Sequence, residues 1–419
     1  MSGGRYKMAQ ANRGHIREID LVRTLTVLGV ISVHTIWFTN AANNVSANLF
    51  TDMLHYTRNV FMFMTAFVLF YVYFKKPYNL SAFWGKRFKL VGIPYLIWSA
   101  YYVYFGGGLS HGIGNYLSTL GLDVIQGTAW FHLYYLLVTM QFYLVFPLAV
   151  WLVRKTAGRH RWLLTASLVL EMGMMTLFHF APGAFNTVPV AGWLMANRNA
   201  LVFTYQFYLL LGALTAVHLD RIEAFVRENG RRVVGGLVAS GLAMAGYYLL
   251  EVFVWHLPAQ YSSDVFQPLM PIYSVFVIFT LYHLGQRWVR AMARLPFATW
   301  ILIWGADLSF GVYLIHPAIL ETLTTWYLWL LGPFTRVIIT PVTALVTFTL
   351  SLAVVRIIAA TPLANWVIGR QQVPIPWERV WGAVERLKHR IWPRPAADAG
   401  GPGDMTEPAE PKWMEGGAS

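Results

Sequence analysis

The chain has 419 residues, of which 57% are apolar and 12% charged, with 32 Lys and Arg against 19 Asp and Glu and a formal charge of +13. Soluble chains are about a quarter charged, so the balance excludes an ordinary soluble domain. The basic residues stand in short clusters between long apolar runs rather than along one surface, which points away from nucleic acid and toward anionic lipid and anionic cytosolic metabolites. Cysteine is absent, which removes disulfides, thiolate metal sites and cysteine nucleophiles.

In chain order, apolar runs near the spanning length of roughly twenty residues predict an all-α integral membrane protein. Its bundle of about ten transmembrane helices lies near 19–38, 53–74, 90–105, 131–153, 162–180, 200–218, 233–254, 266–284, 309–331 and 337–358. The first run is not a secretory signal: it carries Asp20, Arg23 and His34, is too long for an h-region and is followed by further spans. One alternating set of connections holds the positive charge, from Arg13 and Arg17 through Lys75, Lys86, Arg154, Arg231 and Arg287, whereas the other set holds only Arg198 and Arg336. By the positive-inside rule both termini are cytoplasmic, in a multi-pass protein of the cell (plasma or inner) membrane.

The predicted organisation is a cytoplasmic N-terminus (1–18), a transmembrane domain (19–360), a cytoplasmic amphipathic segment (361–394) and a disordered tail (395–419). In the third of these, Trp377, Trp381, Val384, Leu387 and Ile391 recur at helical spacing among basic residues, the pattern of a helix lying on the membrane face. The Gly106–Gly114 stretch reads as a flexible outer loop. No Walker A or H-E-x-x-H pattern is present.

An ionisable residue within a span is costly and is read as functional by default. Arg23 and His34 are eleven residues apart, almost three turns, so they share a helix face with His34 about 16 Å further along the axis. Asp20, one turn before Arg23, falls near that face. The structural alternatives are an arginine snorkelling to headgroups and a hydrogen-bonded core histidine. Ser309, Tyr313 and His316, at i, i+4 and i+7, form a second polar stripe with Pro317 directly after it; helix packing through hydrogen bonds is the alternative there. His55 and Arg58 share a face near the outer end of their span, Glu171 is read as paired with another helix, and Glu251 as solvated near the outer surface. Lys86, Arg87 and Lys89, in the loop Trp84–Pro94, are either topology determinants or a site for the phosphates of a cytosolic ligand.

These residues resemble the acyltransferase-3 family of membrane-embedded O-acyltransferases of cell-surface glycans. Arg17-Glu-Ile-Asp20-Leu-Val-Arg23, followed by ten residues and His34, is similar to that family's first helix. Arg58-Asn-Val-Phe-Met-Phe63-Met-Thr65-Ala66-Phe67 resembles its second-helix motif, with Thr-Ala-Phe for the usual Ser-Gly-Phe. Lys86-Arg-Phe-Lys89 stands where the family has Arg-x-x-Arg, His132-Leu-Tyr-Tyr135 with Gln141 and Pro147 looks like its fourth helix, and Ser309 to His316 is similar to its late Ser-x-x-x-Tyr-Leu-x-His motif.

The resemblance implies transfer of an acyl group, commonly acetyl, from cytosolic acyl-CoA to a hydroxyl of an extracytoplasmic glycan or similar acceptor. It implies acyl-CoA as donor substrate and no permanently bound cofactor. His34 is then the general base, with acyl-histidine as a variant, and Tyr313 or His316 steadies the oxyanion. Arg23, Lys86, Arg87 and Lys89 hold the CoA phosphates, and Arg58 and Ser309 contribute to binding. The competing reading is a non-enzymatic flippase or exporter of a lipid-linked or polymeric glycan, which needs no CoA site.

Overall fold

The computed structural model describes residues 15–40, 42–184, 187–327 and 333–374; their regular structure is helical, with no strand among them. Residues up to Val373 form one compact unit. The expected amphipathic helix around Trp377–Ile391 and the tail 395–419 lie outside the described residues.

Helix α1 (Glu18–Thr39) is central and packs against α3 (Tyr56–Tyr73), α13 (Met270–Ala291), α14 (Pro296–Tyr327) and α15 (Pro333–Ala359). Between α1 and α3 the short α2 (Val45–Leu54) starts where the Asn44 side chain accepts from the Ala47 N–H at 3.1 Å. The chain continues through α4 (Leu80–Phe105), α5 (Ile113–Gln126), α6 (Tyr134–Lys155), α7 (His160–Phe180), α8 (Pro189–Ala196), α9 (Gln206–Val217), α10 (Leu219–Glu228), α11 (Gly230–Phe253) and α12 (Ala259–Ser262). A last short helix, α16 (Ala364–Val367), follows α15.

Among the described residues, six helices are long and apolar enough to cross a membrane by themselves: α1, α6, α7, α11, α14 and α15 from Ile338. The segment 202–217 joined to α10, bent by 95°, makes a seventh candidate. Of the ten expected spans, the helices at 53–74, 90–105, 200–218 and 266–284 do not meet that standard. They are helices all the same, and their polar residues are partly explained by burial in the bundle: α9 packs on α3 so closely that a β-carbon at Gly212 would collide with the Phe63 carbonyl.

Three expectations change. Residues 84–94 are helical rather than a loop, because Asn79 accepts from the Ala82 N–H at 3.0 Å and starts α4 at Leu80, so Lys86, Arg87 and Lys89 ride on a helix that runs through Pro94. The ninth helix starts at Pro296, not near 309. The outer Gly-rich stretch is a loop only to Gly112, after which α5 forms and ends at Gly127 in the left-handed region (φ 76°).

Internal prolines do structural work here. A helical proline leaves the carbonyl four residues earlier without its donor. In α6, Pro147 frees the Tyr143 carbonyl, which accepts from the Trp84 indole at 2.8 Å and ties α6 to α4.

Candidate functional site

His34 of α1 and His316 of α14 meet at 2.8 Å between Nδ1 and Nε2, their rings nearly parallel at 8°. The second nitrogen of His316, Nδ1, is 2.7 Å from the Tyr313 carbonyl. That carbonyl is the one Pro317 leaves without a helical donor. A carbonyl only accepts, so His316 Nδ1 carries the hydrogen and its Nε2 is a bare acceptor. His34 therefore donates from Nδ1, which leaves its Nε2 with the lone pair. Proline, carbonyl and two imidazoles thus form a chain that fixes one tautomer of His34.

His34 lines a chamber of about 320 Å³ at the end of the bundle bounded by the charge-poor connections. His55, Arg58, His132, Tyr135 and Asn199 share the lining. Phe131 stands edge-on to His34 at 4.6 Å between ring centroids, and Trp37, 59% exposed, packs on Phe131 at the mouth. Arg58 is buried rather than interfacial as expected: Nη1 donates to Asn199 at 3.0 Å, Nη2 to the Val265 carbonyl at 2.6 Å, and the guanidinium lies 4.9 Å from the Phe266 ring centroid. The 3-10 turns of 198–205 and the loop 263–266 fold over it, a closure no local pattern announces. His55 bonds the Ser263 carbonyl at 3.1 Å.

Tyr313 lines the chamber, but its hydroxyl donates to the His132 carbonyl, so its one proton is spent on holding the start of α6. Ser309 lies outside the chamber lining and donates to the Ala306 carbonyl at 2.8 Å within its own helix. Sequence reasoning gave no role to His132, whose ring stands 5.4 Å from that of His316 and 5.1 Å from that of Tyr313. Its position inside a recognised motif was the available signal.

Arg23 does not reach the chamber; it is half-buried toward the basic end of α1. Asp20 pairs with His15 at 2.8 Å rather than with Arg23. Asp20, Asp307 and Arg370 are the charged groups near Arg23; Tyr135 lines the chamber and bonds Thr65 at 2.9 Å. Lys86 and Lys89 are exposed, and Arg87 leans on the rings of Tyr73 and Phe83.

Arg370 was missed by sequence reasoning. It is held to Asp307 at 3.4 Å, and the preceding Gly369 (φ 59°) passes so close to the Leu90 carbonyl that a β-carbon would not fit. Arg370 therefore follows a residue that touches Leu90, the neighbour of Lys89, and joins the cations at that end.

Away from this axis, Glu251 is not solvated. It is fully buried and bonded to His179 at 2.6 Å, beneath the segment 259–267. Glu171 accepts from Gln206 at 3.0 Å, as its inter-helix reading expects.

Residues 16–356 match the family model Acyl_transf_3, described as an acyltransferase domain. No curated protein and no solved structure matches the chain.

Proposed function

The chain belongs to the acyltransferase-3 family and is a multi-pass membrane acyltransferase, and we propose that it moves an acyl group, acetyl in the simplest case, from cytosolic acyl-CoA to a hydroxyl of an extracytoplasmic glycan. The observation that carries this reading is the tautomer-fixed His34–His316 pair opening onto an aromatic, polar chamber. Ten spans with both termini in the cytoplasm of a plasma-membrane protein complete the reading, supported by the charge asymmetry of the connections.

Donor and acceptor approach from opposite ends. Arg23, Lys86, Arg87, Lys89 and Arg370 are the cations suited to the CoA phosphates. The acceptor hydroxyl enters the chamber past Trp37 and Phe131, rings of the kind that stack on sugar faces, with Asn199 and Gln260 available for hydroxyl groups.

His34 Nε2 takes the proton of the acceptor hydroxyl as its oxygen attacks the thioester carbonyl. The C–O bond forms, the C–S bond breaks, and the proton passes from His34 to the departing thiolate sulfur. While His34 is an imidazolium, the bare Nε2 of His316 receives a stronger, charge-assisted hydrogen bond from it. With the Tyr313 hydroxyl committed, oxyanion stabilisation falls to groups on the chamber wall, His132 nearest the pair.

The flippase alternative requires no CoA site, and family membership favours the enzyme. The test is thermal unfolding of the purified protein with acetyl-CoA, followed by thiol release in proteoliposomes given a glycan acceptor. Stabilisation by acetyl-CoA with acceptor-dependent thiol release is the expected result; neither effect, with glycan movement across the bilayer, overturns the enzyme reading.

A further inference from the structure

A second charged site lies apart from the catalytic axis. Arg227 at the end of α10, Arg231 and Arg232 in the first turn of α11, and Arg287 and Arg290 in the last turns of α13 line one hollow of about 620 Å³ together with His283. Sequence distance separates the two groups by more than fifty residues, so packing brings them together. Gly230 abuts His283 without room for a β-carbon, and Gly236 abuts Phe276 in the same way, which brings the start of α11 against the end of α13. Helix α10 is pinned there by its buried Glu223, which accepts from the Tyr282 hydroxyl at 2.8 Å while its carbonyl accepts from Gln286 at 3.0 Å.

Five guanidinium groups line the hollow with Glu228 as the one acid, and among the described residues none of the five has a carboxylate within 4 Å. The start of α11, which has no side-chain cap, borders the same hollow. Arg290 has a local role at the C-terminus of α13, but like charges gathered within a Debye length of about 8 Å repel one another, and an anion in the hollow relieves that repulsion.

Depth in the membrane selects the kind of anion. Helix α10 turns by 95° from the apolar segment 202–217; with that segment directed across the bilayer, α10 lies along its plane, where Phe225, 57% exposed, meets lipid. The hollow is therefore at headgroup level. One to two turns deeper on the same helix faces stand exposed apolar residues: Val234 and Val238 at three and seven residues from Arg231, and Leu284 three residues before Arg287. Cations above and hydrocarbon below match a single amphiphile rather than a free phosphate.

We propose that this hollow is a binding site for an anionic phospholipid, its headgroup phosphate among the arginines and its chains along Val234, Val238 and Leu284. The site is separate from acyl transfer, and its test does not use activity. The full-length protein in neutral detergent is titrated with phosphatidylglycerol, phosphatidylcholine or inorganic phosphate, and bound lipid is counted by native mass spectrometry. Phosphatidylglycerol binding in excess of phosphatidylcholine is expected, with inorganic phosphate failing to displace it at equal concentration.

Each surface arginine contributes about 1 kcal/mol to such binding, so Arg231→Gln with Arg287→Gln weakens phosphatidylglycerol binding by about thirty-fold. The double lysine variant, Arg231→Lys with Arg287→Lys, retains the charge and most of the binding, which separates lost charge from misfolding. Equal binding of the two lipids, an unchanged affinity in the double glutamine variant, or displacement by inorganic phosphate overturns the proposal.

Discussion

Replacing His316 tests whether it serves His34 or only fills space. In the structure its Nε2 accepts from His34 Nδ1 at 2.8 Å and its Nδ1 is anchored to the Tyr313 carbonyl. His316→Ala removes the acceptor that strengthens as His34 becomes positive. Hydrogen bonds to charged groups contribute about 1.5–3 kcal/mol, so kcat falls by about ten- to 150-fold, with KM for acyl-CoA unchanged. Pro317→Ala is the companion perturbation. It supplies an N–H to the Tyr313 carbonyl, so His316 competes for its anchor; a net bond of about 0.5–1.5 kcal/mol corresponds to a loss of about two- to twelve-fold in kcat, with a melting temperature no lower than wild type. Thiol release under saturating acetyl-CoA, alongside thermal unfolding of the same preparations, is the assay. A folded His316→Ala protein with turnover within two-fold of wild type refutes the tautomer argument.

Replacing Lys86, Arg87 and Lys89 together by Gln raises KM for acyl-CoA while leaving saturated turnover intact, because groups remote from the reacting carbonyl bind ground and transition states alike; steady-state kinetics on correctly oriented protein checks it. Arg370→Gln acts in the same direction, and an unchanged KM removes it from the donor site. Arg58→Ala strands the Asn199 and Val265 acceptors, at about 1–3 kcal/mol each, and Arg58→Lys fails to restore stability because an ammonium cannot span both; melting curves of the two variants decide. Glu251→Leu leaves His179 buried without its partner and costs about 3–5 kcal/mol, whereas the double variant with His179→Leu recovers much of it, measured by chemical unfolding in detergent.

The sequence made α1 and α14 legible because their polar residues recur at helical spacing against apolar backgrounds. His34 and His316 were each readable, but their union was not, since 282 residues separate them and helix packing alone sets the distance. Pro317 was visible beside His316, yet its consequence for the Tyr313 carbonyl needs the helix to run unbroken through the proline. Arg58 and Glu251 were misjudged for one shared reason: hydropathy fixes depth along a span, whereas the segments 197–205 and 259–267 that cover these residues are irregular or short. The basic clusters announced charge at one end of the bundle but not that Arg370 joins one cluster and that the arginines of α10, α11 and α13 form another. Short helices such as α2 and α5 escaped because their lengths resemble those of loops.

The central claim is that His34 Nε2 removes the acceptor proton, and turnover of purified His34→Ala protein in proteoliposomes tests it most directly. Loss of a general base lowers kcat by roughly a hundred- to ten-thousand-fold. Acetyl-CoA binding survives, because the imidazole meets the acyl end and not the phosphates. Near wild-type acyl transfer by a well-folded His34→Ala protein contradicts the account.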